Sequence, residues 1–147
     1  MKRVVTYNSK TGFTKKYAEW IAEELGCNAV RDKDISNITD YDLVIHGGWL
    51  MGGMINGLDK IRKLNPKKIV AFGVGFTRED GYAEKVKEVN HVDDIPTFYF
   101  VGGMNPKKLN FFLKAIVRIA TKKPLEADDC TSREATLPLV ELVKNIQ

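Results

Sequence analysis

The sequence contains few of the residues that mark secreted, metal-binding or membrane-spanning proteins. Its two cysteines, Cys27 and Cys130, lie far apart and outside any Cys-x-x-Cys or Cys/His spacing, which argues against a zinc site and a thioredoxin-type redox pair. The apolar run at residues 4–7 is too short for a signal peptide. The most apolar later stretch, residues 109–120, contains charges and is shorter than the ~20 residues of a membrane span. We therefore expect reduced thiols, a cytoplasmic location and no integral membrane segment.

Composition and charge are those of an ordinary globular protein. Hydrophobic residues make up 44% of the 147 residues and charged residues 29%, which predicts a single domain over residues 1–147 with one continuous core. The net charge of +4 is too small to indicate nucleic acid. Only two histidines are present, His46 and His91. No Ser/His/Asp arrangement accompanies them, so we expect structural or solvated histidines and neither a hydrolytic site nor a metal site.

Five short apolar or β-branched runs alternate with helical periodicity along the chain. They occupy residues 3–7, 27–31, 42–46, 68–74 and 95–101. This alternation predicts a parallel sheet with right-handed crossovers and helices on both faces, which is a doubly wound α/β fold. In such folds ligands bind beyond the carboxyl ends of the strands. The loops that follow the strands are therefore the places to search for function.

Four helices are predicted between and after these runs. They are expected near residues 17–25, 55–64, 106–122 and 132–146. Gly26 is expected to end the first helix, because glycine adopts positive φ without a steric penalty. Thr131 and Glu134 have the spacing of a capping box for the last helix, although Pro138 can move the start of that helix later.

The first loop reads Ser9-Lys10-Thr11-Gly12-Phe13-Thr14 and leads from the first strand into the first helix. Backbone amides at a helix N-terminus favour an anion, and the hydroxyls of Ser9, Thr11 and Thr14 can hydrogen-bond phosphate oxygens. The spacing fits neither a Walker A loop nor the GxGxxG fingerprint, which disfavours ATP and dinucleotides. The segment resembles the Ser/Thr-x-Thr-Gly-x-Thr phosphate loop of flavodoxins, at the place in the chain where that family has it.

The resemblance to flavodoxins covers nearly the whole chain and has several implications. It implies a five-stranded parallel sheet of order 2-1-3-4-5 with helices on both faces. It also implies FMN as a non-covalent cofactor, whose 5′-phosphate the first loop would hold. Electron transfer through the flavin would then involve a redox partner protein or a small-molecule substrate. The alternative interpretation of the loop is a polar turn that only caps the first helix.

Two further loops are candidate contacts of the flavin ring. Gly47 and Gly48 are expected to end the third strand, and the chain continues as Trp49-Leu50-Met51-Gly52-Gly53, an apolar loop suited to a flat aromatic ligand. Trp49 is the candidate for stacking on the ring, with core packing as the alternative. By resemblance, Gly52 or Gly53 would belong to a peptide that reorients when the flavin gains a proton. The loop after the fourth strand, Gly73-Val74-Gly75-Phe76, supplies Phe76 where flavodoxins commonly have a tyrosine, so ring contact and plain packing both remain open.

A fourth region, residues 98–112, resembles the matching segment of a flavodoxin-like subgroup that includes the quinone-dependent protoporphyrinogen dehydrogenases. It leads into the predicted helix 106–122. One side of that helix carries basic residues, which are Lys107, Lys108, Lys114, Arg118 and Lys122. Such a helix can contact an anionic substrate, an acidic partner or the inner face of a membrane, but packed surface helices have the same pattern. Three functions remain open: an FMN electron carrier, an FMN-dependent oxidoreductase with a quinone acceptor, and a binding module without flavin.

Overall fold

Five parallel strands form the central layer of the protein, as seen in a computed structural model that describes residues 1–104 and 128–146. The strands are β1 (Arg3–Asn8), β2 (Asn28–Arg31), β3 (Leu43–Met51), β5 (Ile69–Gly75) and β6 (Thr97–Val101), with the short strand β4 (Met54–Ile55) between β3 and β5 in the chain. The parallel strands lie in the order β2-β1-β3-β5-β6, and β4 pairs with β3 in the antiparallel direction. The doubly wound α/β fold and the predicted strand order are confirmed.

Helices cover both faces of the sheet. They are α1 (Phe13–Leu25), α2 (Leu58–Lys63), α3 (Tyr82–Asn90) and α4 (Leu137–Lys144). Gly26 ends α1 in the left-handed conformation with φ 66°, as predicted. The helix α3 is an addition that the sequence analysis did not predict. It has few apolar residues, and Val86 is its one fully buried apolar side chain.

The last helix begins later than residue 132. Pro138 lies in the first turn of α4, where its missing N–H and fixed φ are tolerated. The predicted capping box is wrong, because the Thr131 hydroxyl donates to Asp129 Oδ1 at 2.6 Å and not to the start of a helix. A short 3-10 turn, Glu134–Thr136, precedes α4.

The core consists of apolar layers on the two sides of the sheet, and alternate residues of each strand contribute to opposite layers. On one side Val5, Ile45 and Phe72 pack against α1 and α4. On the other side Val44 and Ala71 lie in the clusters that contain buried residues of α2 and α3. Among the helices of the described ranges, none combines the length and apolar character needed to cross a bilayer.

The chain beyond β6 forms a small antiparallel pair, β7 (Gly103–Met104) with β8 (Asp128–Asp129). Tyr17 of α1 joins the two chain segments there: its hydroxyl donates to the Val101 carbonyl at 2.5 Å and accepts the Ser132 N–H at 3.1 Å. Its ring stacks on Phe100 with centroids 4.9 Å apart. The predicted basic helix 106–122 lies outside the described residues.

Candidate functional site

The carboxyl ends of β1, β3, β5 and β6 meet at one edge of the sheet, which we call the carboxyl edge. Parallel pairing brings Asn8 opposite Gly48, Trp49 opposite Val74 and Gly75 opposite Val101. Because these strands run in the same direction, all the loops selected from the sequence begin at this edge. The candidate site is therefore a single region built from the loops after β1, β3 and β5.

The loop after β1 forms an uncapped helix start. Gly12 precedes α1 with φ 98°, and no side chain in the described ranges caps the first turn, which also lacks acidic residues. Within the loop the Gly12 N–H donates to Ser9 Oγ at 3.1 Å. Thr14 is 2% exposed, whereas Lys10 is exposed to solvent. Free amides at a helix N-terminus, flanked by threonines and without a carboxylate, are suited to a phosphate group.

The segment after β3 is a hairpin, and the expectation that Gly47 and Gly48 end the strand is wrong. Strand β3 continues through both glycines to Met51 and turns back into β4. A Cβ at Gly47 would lie 2.0 Å from the Phe72 ring, and one at Gly48 would lie 2.2 Å from the Asn56 carbonyl oxygen. These glycines are needed because neighbouring chain segments pack directly onto the strand.

Trp49 is held at both its side chain and its backbone. Its indole N–H donates to Asn8 Oδ1 at 3.0 Å, and its carbonyl accepts bonds from Asn56 Nδ2 at 2.8 Å and from the Asn56 N–H at 3.1 Å. Asn8 in turn donates to Asp32 Oδ2 at 3.0 Å. Since Asn8 directly precedes the loop that contains Ser9, this network joins the first loop to the hairpin and fixes the orientation of the indole.

His46 lies beneath this network and is fully buried. Its Nε2 is 2.8 Å from the Asn56 carbonyl oxygen, and its Nδ1 is 2.9 Å from Thr6 Oγ1. A carbonyl only accepts, so Nε2 carries the proton and Nδ1 accepts from the threonine hydroxyl. Burial lowers the pKa of His46, an effect that the Asn56 hydrogen bond and the nearby Asp32 charge partly oppose. With both ring nitrogens engaged, His46 has the structural role expected for it.

The lowered pKa of His46 predicts acid-sensitive stability. Below pH ~6.5 the unfolded histidine binds a proton that the folded one does not, so the free energy of unfolding falls as the pH drops, by at most about 1.4 kcal/mol per pH unit, down to the pKa of the folded state. His46→Gln, which can still accept and donate, is expected to flatten this slope between pH 7 and pH 5. Urea denaturation at several pH values measures it, and equal slopes in the two proteins would contradict the assignment.

Some of the other residues predicted for the site pack inside the protein, and others are exposed to solvent. A Cβ at Gly73 would meet Leu50 at 2.6 Å, and one at Gly75 would meet the Tyr99 hydroxyl at 3.2 Å. In contrast, Phe76 and Met51 are 39% and 40% exposed. A Cβ built on Gly52 would meet no atom of the described residues within 4 Å. The apolar surface that a planar ligand could cover is thus formed by side chains at the hairpin tip and after β5.

Two residues of the site were missed by the sequence analysis. Asn90, at the end of α3, is 6% exposed and hydrogen-bonds the backbone of the β3–β4 hairpin. Tyr99 donates its hydroxyl to the Thr77 carbonyl at 2.6 Å and so holds the loop after β5. Burial is the main cause of the raised pKa of Tyr99. A pattern of apolar periodicity carries no signal for either contact, because both join segments far apart in the chain.

Comparison with known proteins agrees with this architecture. The flavodoxin domain model matches residues 4–131. The flavodoxin-like domain-containing protein BilS of Clostridioides difficile (strain CD3) is 32% identical over 99 residues, which are 60% of this chain and 55% of that protein. The chain thus aligns with only about half of that relative's length.

Two solved structures have the same fold. A putative flavoprotein from Bacteroides uniformis has a TM-score of 0.52 at 15% identity, covering 83% of this chain and 98% of that one. Another putative flavoprotein, from Bacteroides eggerthii, has a TM-score of 0.50 at 16% identity, covering 84% and 99%. At this level of identity the similarity concerns the fold.

Proposed function

Since the chain belongs to the flavodoxin domain family, we propose that it binds FMN at the carboxyl edge and transfers electrons through this non-covalent flavin. The observation that carries the proposal is the first loop. It presents an uncapped helix start, left-handed Gly12 and no acidic residue in the first turn. The residues present fit an FMN phosphate, since Ser9, Thr11 and Thr14 add hydroxyls to the backbone amides.

The other selected residues would hold the ring of the flavin. Trp49, oriented by Asn8, and Phe76, exposed after β5, would cover its two faces, with Met51 at the hairpin tip beside them. The backbone from Gly73 to Gly75 and the Gly52–Gly53 turn would approach its edge. The flavin itself supplies one- and two-electron chemistry when bound. The chain's own groups bind it, orient it and exclude water from it.

The test is a titration of the purified protein with FMN, followed by visible absorbance and by flavin fluorescence. We expect a shifted absorbance spectrum and quenched flavin fluorescence. Flavin released by heating the purified protein identifies any that is already bound. An unchanged spectrum with unquenched flavin fluorescence, and no flavin released, would refute FMN binding and leave the interaction module as the remaining function.

Trp49→Ala is expected to weaken FMN binding about 10- to 100-fold, because aromatic stacking on a planar base is worth ~1–3 kcal/mol. The affinity for riboflavin, which has the ring but no phosphate, should fall by the same factor. Trp20→Ala is the matched control, since Trp20 lies on α1 and packs edge-on against Tyr17. Fluorescence titrations measure both ligands. Equal affinities in Trp49→Ala and Trp20→Ala would assign Trp49 to packing.

A second candidate function is an oxidoreductase of the protoporphyrinogen dehydrogenase type with a quinone acceptor. The observation that favours it is the position of the described residues that immediately precede and follow residues 105–127. Met104 pairs with Asp128 in β7–β8, the Cys130 N–H donates to the Gly102 carbonyl at 2.8 Å, and the Gly102 N–H donates to the Gly75 carbonyl at 2.7 Å. The described chain on either side of residues 105–127 therefore lies next to Gly75, a residue of the proposed flavin site.

Anaerobic reduction separates the two candidates. Addition of protoporphyrinogen to the FMN-loaded protein should bleach the flavin absorbance if the protein is the oxidoreductase, and a quinone should then restore it. A carrier should show no bleaching at a useful rate and should exchange electrons with a partner protein.

We also propose that residues 106–122 contact an anionic partner or the membrane surface. Binding to anionic vesicles should weaken when Lys107, Lys108, Lys114 and Arg118 are replaced by glutamine.

A further inference from the structure

Asn90 is a buried polar side chain whose hydrogen bonds reach the hairpin after β3. Its Oδ1 accepts the Ile55 N–H at 2.9 Å, and its Nδ2 donates to the Gly53 carbonyl at 2.7 Å. The second Nδ2 proton is donated to the Val86 carbonyl within α3, and the distance from Nδ2 to that oxygen is also 2.7 Å. Both amide donors and the acceptor of this side chain are thus in use. The hairpin is fixed to α3 through the backbone groups on the β4 side of its turn.

The turn itself consists of two glycines in the left-handed region, Gly52 with φ 58° and Gly53 with φ 85°. Positive φ at both central residues is typical of a type I′ hairpin. Asn90 holds the Gly53 carbonyl, and a Cβ at Gly53 would contact Val89 of α3 at 3.4 Å. Within the described ranges, no hydrogen bond reaches the Gly52 carbonyl or the Gly53 N–H. The carbonyl and the N–H of the peptide between the two glycines are therefore both available to a ligand.

We propose that Asn90 is a positioning residue for the flavin site, and this inference rests on the proposed FMN function. By fixing the Gly53 carbonyl and the Ile55 N–H, Asn90 would hold the turn so that the Gly52–Gly53 peptide can hydrogen-bond the flavin ring. A hydrogen bond that is stronger in one oxidation state stabilises that state. Asn90 therefore affects the reduction potentials of the flavin without touching the flavin.

Two variants separate the contacts of Asn90. Asn90→Ala removes all of them. Asn90→Asp has nearly the same shape and keeps the acceptor for the Ile55 N–H, but its carboxylate cannot donate to the Gly53 carbonyl. Thr97→Ala is the matched control, because Thr97 is equally buried at 6% exposure, bonds the Ile95 carbonyl and lies at the start of β6. All three substitutions remove a buried hydrogen-bonding group.

In the FMN-loaded proteins we expect both Asn90 variants to change the spacing of the two one-electron potentials, measured by spectroelectrochemistry. We also expect the Kd for FMN to rise about tenfold. Thr97→Ala should leave the potentials and the Kd unchanged. If Asn90 only stabilises the fold, all three variants lose stability and none changes the potentials, which would overturn the inference. That outcome differs from failure of the proposed function, in which the wild-type protein itself binds no FMN.

Hydrogen exchange in the flavin-free protein provides an independent readout. Asn90→Ala should lower the protection of the Ile55 amide at least tenfold, whereas Asn90→Asp should retain that protection because the acceptor is kept. Thr97→Ala should not change it. Equal protection of Ile55 in the wild-type protein and Asn90→Ala would overturn the inference, since Asn90 would then not hold the hairpin. If Asn90→Ala fails to fold, the potentials of Asn90→Leu, which has a similar shape and adds no charge, decide the question.

Discussion

Replacing Thr11 and Thr14 together by valine is expected to weaken FMN binding by at least about 100-fold and to leave riboflavin binding nearly unchanged. Each hydroxyl lost from a charged phosphate costs ~1.5–3 kcal/mol. Riboflavin lacks the phosphate, so its affinity depends on the ring contacts alone. Valine has nearly the shape of threonine, and Thr14 is 2% exposed, so the packing of α1 is kept. Fluorescence titration with both ligands measures the two effects.

The control for this experiment is Thr97→Val, which makes the same exchange at another buried threonine. Thr97 lies at the start of β6, away from the carboxyl edge, so both ligands should bind as in the wild-type protein. An equal loss of FMN and riboflavin in the double variant would indicate a distorted site. Unchanged FMN affinity would contradict a phosphate role for this loop.

Gly57→Ala is expected to cost about 2–5 kcal/mol of stability. Gly57 precedes α2 with φ 86°, and a Cβ there would lie 2.4 Å from Asp32 Oδ2 and 2.9 Å from His46 Cε1. The left-handed backbone costs ~1–2 kcal/mol for a non-glycine residue. Overpacking a filled site adds ~1–3 kcal/mol. The overpacking affects a buried histidine and a buried carboxylate, His46 and Asp32.

Gly81→Ala isolates the backbone part of this penalty. Gly81 occupies the same position before α3 with φ 79°, and a Cβ there would have no neighbour within 4 Å in residues 1–104 and 128–146. We expect a loss of about 1–2 kcal/mol, measured for both variants by urea denaturation. Similar losses in the two variants would mean that Asp32 and His46 move away from the added methyl group at no cost.

Much of the sheet could be predicted from the sequence because buried parallel strands are continuous apolar runs. The strand at residues 69–75 and the helix that ends at Gly26 are examples of such local signals. The end of β3 could not be predicted in the same way. Gly47 and Gly48 resemble a turn, and only the ring of Phe72 and the backbone of Asn56 lying against them explain glycines inside a strand.

For the candidate site, the sequence carries a signal only in one local segment. The loop from Ser9 to Thr14 lies within one short segment, so its spacing could be compared with known phosphate loops. The bond between Trp49 and Asn8 and the bonds from Asn90 to the hairpin join residues that are distant in the chain. Helix α3 was missed because its apolar content is low, with Val86 alone fully buried. Such pairings depend on the assembled fold.

The two hydrogen bonds of the Tyr17 hydroxyl have a consequence for which part of the chain can vary between proteins of this fold. Its hydroxyl joins Val101 and Ser132, and β7 pairs with β8 just beyond, so residues 105–127 leave and rejoin the chain at adjacent points. The entropy cost of closing a loop grows only with the logarithm of its length. Insertion, shortening or exchange of that segment is thus inexpensive for the remainder of the protein. Evolution, or protein engineering, can therefore join a different segment to the chain beside the proposed flavin site without rebuilding the sheet.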